Sequence, residues 1–580
     1  MPVALRLYAL LAAALALPSA AGAPTLVVDL TSPPPPIATL LAAQVCIGLL
    51  NRAGTLTYSL MRPEDAAWLA ILEPGPSPPP GQLPLAALLA RCTAAPGAAA
   101  AGYIRYSFAA QQVVVPNLLT LAGVLGAVPL EDGSPYIGRL PLLFDALAAW
   151  GANATALQAT QYVYETHVAS TTGMAKMNPG LDVHGHPFDP PLTLLPDLSL
   201  ADYIVSARLF NFFLAQGCLP GTADHALMER MVQANPWPRP LAVLGYDDTY
   251  PLAGGDTFEA ETNCVAEHSL GQVATTGVNN LAYFSQRSPP LAQPLLQPPP
   301  LQPPQPFNAS LSYVALVVGD GDNIAMVKGA RFQWFQQRVQ ACARNASAPE
   351  PRCYPLLWTL SPALQRLAPD VARWFFAGAA ATGADYFALP PSGHLYAYPA
   401  SMAPADAADF VAATEADAAL YNASATVEWE WLGTWGAAIA NFTPRYAQRG
   451  TVSAVFAVNV PYMVPIVEFA PGEDFKALGA PVPRTALFRP NEWRGDSGAA
   501  QPALHPYLRN ASQVAQGLLA APRGSVGAIY LTSDGGGCVR MLDELAAALA
   551  GSHVRVVDAV TLSRVALESR RGQGGAQNSM

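Results

Sequence analysis

The sequence predicts an α/β protein in which small α/β N-terminal units are followed by a TIM-barrel-like (β/α) C-terminal domain. Three observations predict it. The tract from Ser288 to Phe307, SPPLAQPLLQPPPLQPPQPF, divides the chain into two halves, because its prolines remove backbone donors and favour an extended polyproline II spacer. Before it, short apolar, β-rich runs alternate with helical stretches. After it, eight short apolar runs alternate with helical stretches, and eight is the strand number of a (β/α)8 barrel. At roughly 100–200 residues per domain, the 580 residues have room for several such units.

Residues 1–23 read as a signal peptide: Arg6 gives a basic start, Leu7 to Leu17 an apolar run, and small residues continue through Ala23. Residues 24–130 form a first α/β unit, with strand candidates Thr25 to Leu30 and Thr55 to Leu60 around a helical stretch from Ile37 to Asn51. Residues 131–287 form a second N-terminal α/β region of one or two units. Leu118 to Ala127, Pro141 to Ala149 and Tyr203 to Leu214 are expected to be helical. The linker occupies 288–307, the barrel-like domain 308–570, and a polar tail 571–580. In the barrel-like domain the strand candidates are Tyr313 to Val318, Tyr354 to Trp358, Tyr386 to Leu389, Thr426 to Trp431, Val452 to Val458, Arg484 to Phe488, Val526 to Leu531 and Val554 to Val557. Helical stretches run from Ile324 to Ala343, where Phe332, Phe335, Val339 and Cys342 recur at steps of three and four, and from Pro362 to Ala381.

Charged residues make up 12% of the chain, with a net charge of −10, against about 25% charged in ordinary globular proteins. With no basic cluster beyond Arg570 and Arg571, nucleic acid is excluded as a partner. No later segment reads as a transmembrane helix, so no membrane partner is expected and the mature protein is placed outside the cell or in the secretory lumen. Sequons at Asn153, Asn308, Asn345, Asn422, Asn441 and Asn510 fit that compartment. So do seven cysteines, of which Cys342 and Cys353 are the best local pair, across one short loop between a helix and a strand.

At Gly393-His394-Leu395-Tyr396-Ala397-Tyr398-Pro399 the chain resembles the GxGYxYP family of glycoside hydrolases. Three further segments are similar to that family's motifs: Gly319-Asp320-Gly321-Asp322-Asn323, Trp358 to Pro362, and Thr276-Gly277-Val278-Asn279-Asn280-Leu281. The Ala201-Asp202-Tyr203 helix start also fits. Leu395 stands where the motif has its second glycine, a position at which glycine would permit positive φ. The resemblance implies N-terminal α/β units before a barrel-like domain, and carbohydrate chemistry on an oligo- or polysaccharide.

Hydrolysis of a glycosidic bond needs an acid to protonate the leaving oxygen and a carboxylate as nucleophile or base. The expected strand ends supply acids: Asp320 and Asp322 after the first strand, Glu428 and Glu430 on the fourth, Glu492 and Asp534 later. Asp322 and Glu430 are the first choice for the catalytic pair, with Asp320, Glu428 and Glu492 in reserve. Asn323, Trp358, His394, Tyr396, Tyr398, Trp431 and Trp493 are the substrate-binding candidates, and Trp429, Trp435 and Tyr462 crowd the same ends. Other readings stay open. The aspartates would equally cap a helix at Ile324 or hold Ca²⁺ or Mg²⁺; no other metal or cofactor is called for. Glu428 and Glu430 share one strand face, inward or outward. In the first half, His184 and His186 with Asp182 and Asp189 read as a polar loop or a metal site. Glu259, Glu261, Cys264 and His268 read as a wall of the cleft, with a disulfide for Cys264. The rival functions are a non-catalytic carbohydrate-binding or cell-wall protein, and a metal-dependent hydrolase using Asp320 and Asp322.

Overall fold

The computed structural model describes residues 25–73, 82–94, 99–179, 197–245, 257–301, 306–344, 353–431, 438, 445–446, 450–460, 485–488, 490–493, 495, 509–532 and 538–577. The expected signal peptide, His184 and His186, Asn345, Asn441, Trp435, Tyr462 and Asp534 lie outside the described residues. Two compact units divide the chain, Ala16–Pro290 with Gln365–Asp370, and Leu291–Leu364 with Val371–Met580. The first unit thus ends within the proline tract.

The N-terminal unit holds three parallel sheets. β1 (Leu26–Asp29) pairs with β2 (Thr57–Leu60). β3 (Gly102–Tyr106) lies between β4 (Ala127–Glu131) and β5 (Leu142–Asp145). β6 (Met174–Lys176), β7 (Phe210–Phe212), β8 (Leu241–Leu244) and β9 (Leu270–Val273) run in the order β7-β6-β8-β9. Helix Ile37–Arg52 is buried continuously from Leu41 to Asn51, as an inner helix apolar all round should be. The apolar stretch Phe108–Leu125 has the length and composition of a membrane span, yet Val115, Leu118, Leu119 and Leu121 within it are fully buried in this unit.

Two helix expectations are corrected here. Within Pro141 to Ala149, residues Leu142–Asp145 form β5 along the edge of β3, and Asp145 then caps a short helix by accepting from the Ala148 amide at 3.1 Å. Within Tyr203 to Leu214, the helix stops at Ala207 because Arg208 is left-handed, and Phe210–Phe212 joins β6 as β7. In both cases sheet pairing overrides local helix propensity.

In the C-terminal unit the elements are β10 (Ser312–Val318), β11 (Leu356–Thr359), β12 (Asp385–Ala388), β13 (Ala425–Trp431), β14 (Ala454–Val460), β15 (Ala486–Phe488), β16 (Asn491–Trp493), β17 (Val526–Leu531) and β18 (Val554–Val556). All their pairings are parallel. Five of them run in the order β12-β11-β10-β17-β16, and β13-β14-β15 form a second sheet. Leu389 links the two, donating to the Ala425 carbonyl and accepting from the Val427 amide, both at 3.0 Å. Among the described residues the strands do not form one closed barrel sheet. β18, expected as the eighth stave, instead pairs with the start of β10 on the edge opposite β17: Tyr313 and Val314 pair with both strands.

The faces follow from register. Tyr530 of β17 pairs with Val317, which pairs with Leu357, which pairs with Tyr386. Paired residues share a face, so these four face one way. Trp358, Asp385 and Phe387 face the other way, toward the helices. There Arg338 of helix Phe332–Arg344 binds Asp385 at 2.5 Å and the Trp358 indole donates to Asp385 at 2.8 Å.

The linker is not a free spacer. Proline cannot donate to a strand edge, and here the side chain of Gln297 does so instead, donating to the Phe387 carbonyl at 2.9 Å and accepting from the Phe387 amide at 2.8 Å. Tyr386 donates to the Pro299 carbonyl at 3.0 Å.

Three disulfides are present: Cys46–Cys92, Cys218–Cys264 and the expected Cys342–Cys353. They are consistent with an extracellular protein, as are the exposed sequons Asn153, Asn308, Asn422 and Asn510.

Candidate active site

β10 is buried along its whole length and delivers the sequence Gly319 to Asn323 at its C-terminal end. The glycines have steric reasons. A Cβ on Gly319 would run into the Tyr530 ring, and one on Gly321 into the Thr359 carbonyl. Between them Asp320 is left-handed, φ 57°, a conformation that a short polar side chain tolerates. The turn is pinned by the Gly321 amide donating to Thr359 Oγ1 at 2.9 Å and by the Asp320 amide reaching Tyr530 Oη at 3.4 Å.

Asn323, not an aspartate, caps the following helix, accepting from the Met326 amide at 3.1 Å. Asn323, expected at the substrate, thus also serves as the helix cap, and neither aspartate is that cap. The helix opens with one α turn, passes through a π turn at Val327–Arg331, and resumes as Phe332–Arg344. The π turn presents Arg331, 3% exposed, with Nη2 2.8 Å from the Gly319 carbonyl and 3.6 Å from Asp320. Asp320 is 22% exposed on its side chain. Burial, and next the charge of Asp320, push the Asp322 carboxyl up to about 8, with Arg331 opposing.

Glu428 and Glu430 behave differently. Both are fully buried. Trp429 turns the other way, its ring 6.5 Å from that of Tyr530, so alternation places both glutamates on the opposite, helix-facing side of β13. There Glu430 accepts from the Ala400 amide at 2.9 Å, and Glu428 accepts from the Tyr446 hydroxyl at 3.4 Å. Burial, then Glu430, raise the Glu428 carboxyl well above the usual range. Glu430 is thus held by the Ala400 amide behind β13, whereas Asp322 lies on the β10 turn with Asp320 and Arg331 as its charged neighbours, so its partner is Asp320 and not the expected Glu430. Glu492 lies on β16, directly opposite Tyr530 in register; its side chain, like that of Trp431, lies outside the described residues.

The aromatic candidates are packed inside. Tyr398, Tyr396, Trp429 and Tyr530 form a chain of ring contacts at 6.4, 5.6 and 6.5 Å, which ends against Gly319. It joins the GHLYAYP segment to the acid turn, and each of its rings is at most 3% exposed. Trp358 is held by Asp385 in the helix layer. Trp493 donates its indole to the Arg509 carbonyl at 2.7 Å. As placed, Trp358, Trp493, Tyr396 and Tyr398 offer no exposed ring face to a sugar. His394, 26% exposed, is bound at Nδ1 by Asp417 at 2.6 Å and donates its amide to Thr414 Oγ1 at 3.1 Å.

Leu395, at the motif's second glycine, is buried and has a negative φ, whereas Gly393 has φ 97° and would drive a Cβ into Thr414. Only the first glycine is therefore demanded by the backbone.

In the N-terminal unit the Thr276 to Leu281 motif is scaffolding. Asn280 accepts from the Ser59 amide at 2.8 Å and Asn279 donates to Asp65 at 2.7 Å. Cys264 is in the expected disulfide, with Cys218 as its partner. Among the described residues no group of three or more His, Cys, Asp or Glu could hold a metal ion.

Arg331 and Tyr530 were missed from sequence. Arg331 left one signal, a cation directly before Phe332 and four residues before Phe335 on a helix face that is mostly apolar. Tyr530 left none beyond its place near a strand end.

Residues 310–421 match the family described as "GxGYxYP putative glycoside hydrolase C-terminal domain". The acid turn, the Trp358 segment and the GHLYAYP loop all fall within that match. A crystal structure of a "putative hydrolase" from Bacteroides thetaiotaomicron VPI-5482 is similar over 94% of this chain and 95% of that one, with a TM-score of 0.67 and 17% identity. That is a likeness of fold. No curated protein matches.

Proposed function

We propose that this chain is a secreted glycoside hydrolase whose C-terminal unit cleaves an oligo- or polysaccharide with acids of the β10 turn. The observation that carries the reading is the unequal pair Asp320 and Asp322. Asp322 has a carboxyl pushed up to about 8, which keeps it protonated at neutral pH as a general acid must be. Asp320 lies beside the Arg331 guanidinium, the setting of a carboxylate that acts as anion. A protonated carboxyl beside a second one that faces a cation is the pattern of acid and base assignment.

In the step proposed, Asp322 gives its proton to the glycosidic oxygen as the C–O bond breaks. Either Asp320 takes a proton from a water that attacks the anomeric carbon, or Asp320 attacks it and water, losing a proton to Asp322, then hydrolyses the glycosyl ester and frees Asp320. Arg331 already supplies the counter-charge at Asp320, so the step uses no metal; activity unchanged by EDTA is the expected result. The family match of residues 310–421 supports a carbohydrate substrate. The buried state of Tyr396, Tyr398 and Trp493 weighs against a lectin built on those rings.

We further propose a barrel-like enclosure for this unit. β15 pairs with β14 and β16, close after it in sequence, with β17, and Leu389 bridges β12 to β13, which gives seven staves in sequence order when β15 and β16 count as one.

The test is hydrolysis of a panel of aryl glycosides and polysaccharides by wild type and Asp322→Asn, with folding checked by circular dichroism. Turnover abolished in the folded variant supports the reading. Equal turnover, or none by wild type alongside measurable glycan binding, overturns it.

A further inference from the structure

Arg331 is an unusual residue to bury. It is 3% exposed, yet only Nη2 makes a hydrogen bond, while Nε and Nη1 are buried with no partner among the described residues. Burying a guanidinium with donors unsatisfied is costly, and packing of its stem would be served as well by leucine or methionine. Its location is also specific. It ends the π turn Val327–Arg331, and π turns inside α-helices are frequent at functional sites. The extra residue sets Arg331 over the Trp334 ring, 4.6 Å from its centroid, and aims Nη2 back at Gly319 and Asp320.

We propose that Arg331 is a positioning residue of the acid turn: by binding the Gly319 carbonyl and pairing with Asp320, it determines which of the two aspartates carries the proton. This rests on the reading of Asp322 as the acid. Arg331 does not touch substrate. It holds Asp320 as the anion, and that anion then favours the proton on Asp322, whose surroundings are drier.

The charged and titratable groups around the pair, among the described residues, come from three elements. Arg331 lies on the π turn, Asp320 and Asp322 on the β10 turn, and the Tyr530 hydroxyl on β17. β11 contributes only the Thr359 hydroxyl and carbonyl. Removing the Arg331 charge therefore leaves two carboxyls with less positive charge near them, and both should hold their protons to higher pH. An opposite charge at such range moves a carboxyl by about 1–3 pH units.

The test is an infrared pH titration of the protonated-carboxyl C=O band in the full chain, comparing wild type, Asp322→Asn, Arg331→Gln and Arg331→Lys. It needs no substrate. The wild type minus Asp322→Asn difference isolates the Asp322 band from that of buried Glu428. The expected result is loss of that band near pH 8 in wild type, at least about one pH unit higher in Arg331→Gln, and near the wild-type value in Arg331→Lys, which restores the charge. An Asp322 band that is present but unmoved in Arg331→Gln overturns this inference and leaves the proposed acid standing. A neutral-pH spectrum that Asp322→Asn does not alter overturns the acid assignment itself. If Arg331→Gln does not fold, a titration of Arg331→Lys with the midpoint of Arg331→Met decides, since both keep the stem and only one keeps the charge. Where an aryl glycoside is turned over, both limbs of the kcat/KM profile shift alkaline in Arg331→Gln, which mere loss of folded protein would not produce.

Discussion

Two pairs of acids in this unit have the same spacing and opposite fates. Asp320 and Asp322 flank one residue, as do Glu428 and Glu430. The first pair lies beyond the last hydrogen bond of β10, on a turn where a left-handed residue and a glycine break the alternation of faces. The second lies inside β13, where a period of two puts both carboxyls on one face and Trp429 takes the other. Spacing alone does not make an acid pair a site. The backbone between the two acids decides whether they face an open strand end or are absorbed into the layer behind it.

The largest expected difference between the pairs is in rate. Asp322→Asn should lower kcat by about 10²–10⁴-fold, the usual worth of a positioned acid, while Glu430→Gln should stay within a few-fold of wild type per folded molecule. Glycosidase assays on the two purified variants read this directly, and comparable losses in both would erase the distinction.

Backbone crowding comes next. Gly321→Ala forces a Cβ against the Thr359 carbonyl and should cost about 1–3 kcal/mol, the scale of overpacking, in urea unfolding. Glu430→Ala leaves the part-buried Ala400 amide without its acceptor, a loss of about 1 kcal/mol; thermal and urea midpoints should fall together. Asn323→Ala removes the helix cap at the acid turn, about 1 kcal/mol. Asn323→Asp should recover most of it.

The smallest signal is the pH dependence of stability. Between about pH 4 and pH 8 the unfolded chain has lost the Asp322 proton while the folded chain keeps it, so stability falls as pH rises through that window and is fully present only below it. Residual solvent access to this largely buried side chain dilutes the effect. Asp322→Asn should flatten the slope; a steeper slope would place the proton elsewhere.

The C-terminal strands were legible almost residue for residue, because parallel strands buried on both faces read as unbroken apolar runs: Val526 to Leu531 is the same span in sequence and structure. β5 and β7 were not, since a three- or four-residue strand beside a helix carries no period of its own. The turn of Asp320 and Asp322 was legible as a place, but not its chemistry, which depends on a cation twelve residues past Gly319. The outward fate of Glu430 was hidden for a different reason. Alternation fixes which residues share a face, and only a contact beyond the strand, here the Trp429 ring against Tyr530, says which face is which.

Gln297 gives the proline tract a meaning its composition concealed. A segment too poor in amide hydrogens to be a strand has lent one side chain to the uncovered backbone of Phe387, so it serves the fold as a seal. For anyone wishing to excise the C-terminal unit, the scissors belong before Leu291, where the unit itself begins. A fragment started at Asn308, the obvious place from the sequence, would leave that strand edge wet and open to pairing with a neighbour.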